Sequence, residues 1–360
     1  LTAVGSGDLA RRILVIQLRQ LGDILLTTPL FRAIKFNRPD VHLTFLSHEM
    51  GRLIIDGCPY VDEYFTYGND WTLTMHLRLA KTLREREFDL VIDSMNNPRS
   101  AFYALATGAR ERIAFKSARS FVYTDTVTKS GESDYVVRER LRLVSAAGFS
   151  VPANDSLRLL LPWFEKHTAP VMKLMGSQPR FSADCLRVVL SPTHRREPRR
   201  WPLKSYAVLA DLLTREWGAF VMWAWGPGEE SVVDEAMSLC ETPTFKAPAT
   251  TFRELAALIA NFDLFVGNSN GPSHVAVAVD TPSLQLHGPT SARAWSPLTD
   301  VHQALEGSPA EGGSKSDTNG AITSISVGMV YEKLQAMKPQ LDLRAAARRK
   351  KGPRLNWSVP

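Results

Sequence analysis

The sequence predicts an α/β protein of two Rossmann-like, doubly wound domains. Three observations predict it. The chain has 360 residues, too many for one small core and suited to domains of ~100–200 residues. Short β-branched apolar runs alternate with longer segments of helical period, the pattern of a parallel sheet with crossover helices. That series occurs twice, on either side of a stretch punctuated by Pro152, Pro162, Pro170 and Pro179.

In the first series, Ile13–Leu18 reads as a buried strand, followed by a Gly22-Asp23 turn. Ile24–Lys35 is a helix with apolar residues at 24, 25, 30, 31 and 34. Val41–Leu46 is a strand, 49–56 a helix, Glu63–Thr66 a strand and Leu73–Arg86 a helix. Phe88–Asp93 is a strand and Ser100–Thr107 a helix. In the second series, the strands are Leu186–Leu190, Ala219–Trp225, Leu264–Val266 and Ser283–Leu286. The helices are Leu203–Glu216, Glu230–Leu239, Thr251–Ala260 and Pro272–Val279. Residues 307–320, rich in Gly, Ser and Asp, read as a mobile loop. The expected organisation is an N-terminal domain over 1–165, a connection over 166–185, a second domain over 186–335 and a basic tail over 336–360. Two such halves imply a cleft between them.

Composition narrows the class. A hydrophobic fraction of 44% excludes global disorder. No run approaches the ~18 apolar residues of a membrane span. The first seven residues lack the pattern of a secretory signal, and a start on Leu1 is what a trimmed or partial chain would show. Cys58, Cys185 and Cys240 are scattered, as expected of reduced thiols in a cytoplasmic protein without a zinc site. Of the net charge of +6, five charges come from residues 341–360, where six Lys and Arg face Asp342 alone. The body is therefore near neutral, which argues against a nucleic-acid binder. The tail reads as a frayed, solvated end, or as a peripheral contact with an anionic membrane surface.

Five segments carry candidate chemistry. Arg19–Ile24 places Gly22 and Asp23 at the carboxyl end of the first strand, where doubly wound sheets bind ligands; Asp23 reads as a helix cap or as a base. Ser191–Pro202 holds Arg195, Arg196, Arg199 and Arg200 near Thr193 and His194, forks suited to a diphosphate. Gly267–His274 is a strand–turn–helix whose amides at 269–272 offer an anion site. Trp225–Glu230 contains Gly226 and Gly228 but Ser231 in the third glycine position of a dinucleotide fingerprint, which weakens a nicotinamide-enzyme reading; Glu229 or Glu230 suits ribose hydroxyls. Residues 99–119 hold Arg99, Arg110, Arg112, Lys116 and Arg119 against Glu111 alone, a surplus suited to an anionic ligand.

Taken in order, Ile13–Pro29, Asp89–Asp93, Ala109–Phe115, Arg199–Pro202, Val266–His274 and His287–Thr290 resemble glycosyltransferase family 9, the heptosyltransferases of lipopolysaccharide core assembly. The resemblance spans about residues 11–300. It implies a GT-B fold, with acceptor on the first domain, nucleotide-sugar on the second and inversion at the anomeric carbon. The implied donor is ADP-heptose, used as a substrate, with no cofactor and no metal; the implied acceptor is the lipopolysaccharide inner core. By the same resemblance Asp23 is the general base. Thr193, Arg199, Lys204, Glu229, Glu230, Ser269, Asn270, Gly271, Pro272 and His274 are the donor set, and Arg99, Arg112, Lys116 and Arg119 the acceptor set. Arg199 stands where the family usually has Lys. Ser269 stands where it usually has Asp, which motivates a second reading, a nucleotide-sugar or glycan-binding member of the fold without turnover.

Overall fold

The computed structural model describes residues 12–130, 134–151, 158–178, 181–182, 184–288, 290–308 and 321–358. The chain divides into two compact units, 1–160 and 161–360.

Among the described residues, the first unit holds a six-stranded sheet of β1 (Arg12–Ile16), β2 (His42–His48), β3 (Glu63–Tyr67), β4 (Leu90–Asp93), β5 (Glu111–Phe115) and β6 (Asp125–Val127). Their order is β3-β2-β1-β4-β5-β6, and every pairing is parallel. The second unit repeats the plan with β7 (Arg187–Ser191), β8 (Phe220–Trp223), β9 (Phe245–Lys246), β10 (Leu264–Asn268), β11 (Ser283–His287) and β12 (His302–Glu306). Their order is β12-β11-β10-β7-β8-β9, again parallel throughout. Both sheets thus have the doubly wound order in which the direction of winding reverses beside the first strand.

The central strands are buried along their whole length because crossover helices cover both faces. β4, β7, β10 and β11 are buried at every position. Leu14, Ile16, Leu46, Val91 and Tyr103 belong to the first core; Val188, Leu190, Trp201, Tyr206, Trp223 and Val266 belong to the second. Each large apolar side chain so buried contributes ~1.5–3 kcal/mol. Gly218 ends the helix Leu203–Trp217 in the left-handed region, φ 59°, which an L side chain resists.

Several elements depart from the sequence expectation. β5, β6, β12 and the helices Val136–Ala146 and Val327–Lys351 are additional. Residues 166–185, expected to connect the domains, carry most of the helix Glu165–Gly176, which packs on the helix Phe252–Ala260 within the second unit. The basic end is not a frayed tail. The helix Val327–Lys351 buries Val330, Leu334, Met337, Leu341 and Ala345, a single stripe at helical spacing. Arg348 pairs with buried Asp263 at 2.9 Å, Arg349 donates to the Asp184 carbonyl at 2.8 Å, and Arg354 donates to the Val279 carbonyl at 2.7 Å. The first seven residues, and residues 309–320 of the expected loop, lie outside the described residues. Among the described residues no helix is long and apolar enough to cross a membrane.

Candidate active site

In a doubly wound sheet the ligand crevice opens at the carboxyl ends of the strands where the order reverses. In the first unit that point lies between β1 and β4, and in the second between β7 and β10. Asp23 follows β1; the arginine loop follows β7; Asn268–His274 follows β10.

Asp23 sits in the first turn of the short helix Leu21–Leu25 and is not its cap; that helix has no side-chain cap. Its carboxylate instead pairs through Oδ1 with Arg140 Nη2 at 2.6 Å. Arg140 Nη1 also donates to the Asp23 carbonyl at 2.6 Å and to Thr27 Oγ1 at 3.0 Å. Three bonds from one buried guanidinium fix both the backbone and the carboxylate of Asp23. Oδ2 accepts no hydrogen bond among the described residues, and the side chain is 30% exposed. Arg140 carried no signal in the sequence.

At the end of β4, Asp93 is fully buried. Its carboxylate accepts from the Met95 and Asn96 amides at 2.9 Å and from the Tyr123 hydroxyl at 2.6 Å. Burial raises its pKa above the usual carboxylate range, against these bonds. It braces the turn rather than facing a ligand.

The basic residues of 99–119 separate. Arg112 lies near the amino end of β5, away from the ligand edge. Its guanidinium donates to the carbonyls of Val122 at 2.9 Å and Ala109 at 2.5 Å. That work is structural, and it removes Arg112 from the acceptor set. Arg119 donates twice to the Asn96 carbonyl, at 3.1 and 2.7 Å, and so mainly holds the turn after β4. Lys116 is exposed just beyond the carboxyl end of β5. Arg99 lies 5.0 Å over the Tyr67 ring.

In the second unit Asn268 stitches the arginine loop to β10. Its Oδ1 accepts from the Trp201 amide at 2.9 Å, and its Nδ2 donates to the Pro192 carbonyl at 2.8 Å. Asn270 Nδ2 donates to the Thr193 carbonyl at 2.7 Å, which ties the ends of β7 and β10 together. The expected anion nest at 269–272 is smaller than the sequence implied. The Ser269 amide donates to the Leu286 carbonyl at 3.1 Å. Asn270 caps the helix Gly271–Ala278 through a capping box with Ser273, which occupies the amides of both. Pro272 has no N–H. Among the described residues that leaves the Gly271 amide without an acceptor, beside open space at its Cα.

The arginines carry more of the positive potential. Arg199 ends the short turn Glu197–Arg199 and has no acidic partner among the described residues. Burial lowers its pKa, followed by repulsion from Arg196 and Arg195. A half-buried guanidinium beside two exposed like charges is an environment that an anionic ligand relieves. Arg200, by contrast, donates to the His194 carbonyl at 2.6 Å. His287, at the end of β11, is fully buried; burial first, then His274, pushes its pKa down to about 3. His274 is buried, with its ring 6.3 Å from Trp295.

The two acids after β8 have different surroundings. Glu230 pairs with Lys246 at 2.7 Å. Glu229 Oε2 accepts from the Gly226 amide at 3.0 Å, folding the acid back over the Gly226–Gly228 turn. Of the two, Glu229 is the one held at the strand end. Lys204 is exposed in the first turn of the helix Leu203–Trp217.

Comparisons with known proteins bear on the family and the fold. A family model described as glycosyltransferase family 9 (heptosyltransferase) matches residues 76–318. Lipopolysaccharide heptosyltransferase 3 of Escherichia coli K12 is 27% identical over 296 residues, 79% of this chain and 84% of that protein. The solved glycosyl transferase family 9 protein of Veillonella parvula superposes with a TM-score of 0.79 at 20% identity, covering 93% of this chain and 98% of that one. The E. coli ADP-heptose lipopolysaccharide heptosyltransferase II superposes at 0.73 with 21% identity, covering 91% and 99%. The structural likeness carries the fold, two Rossmann-like domains of the GT-B class.

Proposed function

The chain belongs to glycosyltransferase family 9, and on that footing we propose that it transfers a heptose from ADP-heptose to the inner core of lipopolysaccharide with inversion at the anomeric carbon. The observation that carries the reading is Asp23, held by Arg140 at the carboxyl end of β1 with Oδ2 open. In the proposed step Oδ2 takes the proton of an acceptor hydroxyl as that oxygen attacks the anomeric carbon. The bond from that carbon to the diphosphate oxygen breaks on the opposite face, and ADP leaves with the electron pair. General-base assistance of this kind contributes typically ~10²–10⁴ in rate.

The leaving diphosphate is met by Arg199, with Thr193 and the Gly271 amide beside it, and Arg195 and Arg196 add to the field. Charge relief by guanidinium groups makes the reaction metal-independent in this proposal. Glu229 receives the ribose hydroxyls. Ser269, Asn270, Pro272 and His274 shape the donor turn, and Lys204 stands at its rim. Such chemistry belongs in the cytoplasm, at the membrane face that carries the acceptor.

The test is incubation of the full chain with ADP-heptose and deacylated inner-core acceptor. A mass gain of one heptose, with the opposite anomeric configuration by NMR, is the expected result; no gain with any nucleotide-sugar contradicts it. Ser269 favours a second reading, binding without turnover. Ser269→Asp separates the two: gain of transfer only in the variant supports the second, while a shifted donor preference in an already active enzyme supports the first.

A further inference from the structure

Three adjoining elements of the first unit leave an apolar face open. In the helix Leu73–Glu85, Leu79, Ala80 and Leu83 enter the first core. Leu73, Leu77, Lys81 and Arg84 fall on another stripe at helical spacing, and all four are exposed. In the helix Pro98–Ala106, Ala101 and Ala104 are buried in the same core, while Phe102 and Leu105 are exposed. In the short turn Ser120–Val122, Val122 is buried and Phe121 is 84% exposed. The helix Pro98–Ala106 packs against both the helix Leu73–Glu85 and that turn. Large apolar side chains from all three therefore stand on adjoining elements. Single exposed apolar residues are ordinary on a protein surface, whereas a group of neighbours marks a contact. Leu73 opens the helix that follows the carboxyl end of β3, the same end of the sheet as Asp23.

Charge decides what covers this face. Arg78, Lys81 and Arg84 flank it, all exposed, and Glu85 is the single acid of that helix, paired with Lys81 at 3.7 Å. The helix Pro98–Ala106 and the turn Ser120–Val122 carry no acid. Two copies of the chain meeting through this face would bring like charges together, which opposes association. An anionic bilayer has the complementary sign. Its acyl boundary takes the apolar side chains, and its headgroups meet the charges of Lys and Arg whose stems lie along the face. The basic chain end, where composition alone suggested such a contact, matches it less well. Arg344 pairs with Asp280, Arg348 with Asp263, and Arg349 and Arg354 donate to backbone carbonyls. Among the described residues of 336–351, Leu343 is the only large apolar side chain that is exposed.

We propose that this face, with Phe121 as its most exposed anchor, docks the first unit on an anionic lipid bilayer. The docking surface goes beyond the transfer reading and needs no turnover to be seen. The experiment sediments the full chain with vesicles of phosphatidylcholine alone and of phosphatidylcholine mixed equally with phosphatidylglycerol. The native chain sediments with the anionic vesicles and not with the neutral ones, and its partition falls as salt rises. Phe121→Ser and Leu73→Ser each weaken the partition about tenfold. Arg78→Ala combined with Lys81→Ala weakens it about twenty-fivefold, near fivefold per charge. Leu343→Ser and Lys350→Ala, on the terminal helix, leave it unchanged. Melting temperature, measured for every variant, reports that the fold is kept. Transfer to a water-soluble, deacylated acceptor stays native in Phe121→Ser, whereas transfer to a lipid-anchored acceptor in anionic vesicles falls. Equal sedimentation with the two kinds of vesicle, or with neither, overturns the proposal. So does native partition in both Phe121→Ser and Leu73→Ser, or a loss confined to Leu343→Ser and Lys350→Ala, which moves the contact to the terminal helix. A concentration-dependent dimer that Phe121→Ser abolishes gives the face to a second copy and overturns it as well. The predicted vesicle binding by a chain that transfers no sugar keeps the docking surface and removes the transfer reading; transfer without vesicle binding does the reverse.

Discussion

Asp23 and Arg140 stand 117 residues apart in the chain, yet one guanidinium fixes both the carboxylate and the carbonyl of that aspartate. The sequence marked Asp23 because a Gly-Asp turn after a strand is a local pattern. It could not mark Arg140, since a partner brought in by tertiary packing leaves no spacing to read. The same limit explains Arg112: its charge is visible in the sequence, while its bonds to two backbone carbonyls are not. Two predictions belong at this scale. Arg199→Ala should raise the donor KM at least tenfold with little effect on the acceptor KM, and Arg199→Lys should recover part of it, because a point charge replaces a fork. Initial rates at varied donor and acceptor check this. The second concerns His287 and His302, whose pKa values burial pushes to about 3 and about 4. Unfolded, each titrates near ~6.5. Below that pH the unfolded chain binds protons the folded chain refuses, so the stability they contribute is complete above ~6.5 and declines as pH falls toward the folded values. The slope is up to ~1.4 kcal/mol per pH unit for each histidine. Melting temperature measured from pH 7.5 to 4.5 should fall, and His287→Gln should flatten the fall.

Element by element, legibility followed apolar content. β1, β4, β7 and β10 are near-continuous β-branched or leucine runs because both faces are covered, and they were readable without context. β5 was hidden: Ile113, Ala114 and Phe115 follow Arg110, Glu111 and Arg112, and the charges dominated the pattern. β6 has three residues and β9 two, too short for any alternation to show. The anion turn at 269–272 was read from its small residues, but Asn270 and Ser273 spend their amides on each other in a capping box. The terminal helix was masked by its own charge, since Leu341 and Ala345 sit between arginines and lysines that looked solvated. Arg348 provides its test. Asp263 is buried, and its carboxylate accepts from Arg348 through Nε and Nη2 at 2.9 Å and from the Arg187 amide at 2.9 Å. Arg348→Ala leaves that charge underneutralised and should destabilise the second unit by ~3–5 kcal/mol. Urea denaturation of the full chain, followed by the tryptophans of that unit, should show the loss; Lys350→Ala, at an exposed position, should change stability by less than ~0.5 kcal/mol.

For the whole molecule, a doubled α/β series was enough to predict two doubly wound sheets, and each unit reproduces the same strand order independently. The two reversal points carry a carboxylate after β1, and cationic side chains with a capped helix after β7 and β10. Each group is ordinary alone. A carboxylate with one open oxygen on one unit and a group of arginines on the other are the features on which the proposed transfer from a nucleotide-sugar rests.

The central claim is that Asp23 accepts the acceptor's proton, and single-turnover transfer of heptose from ADP-heptose tests it most directly. The native chain and Asp23→Ala are compared at saturating donor, with ADP affinity and melting temperature measured alongside. The account predicts a loss of ~10²–10⁴ in the transfer rate, with ADP affinity unchanged and the fold retained. Transfer by Asp23→Ala at a rate near that of the native chain would contradict it.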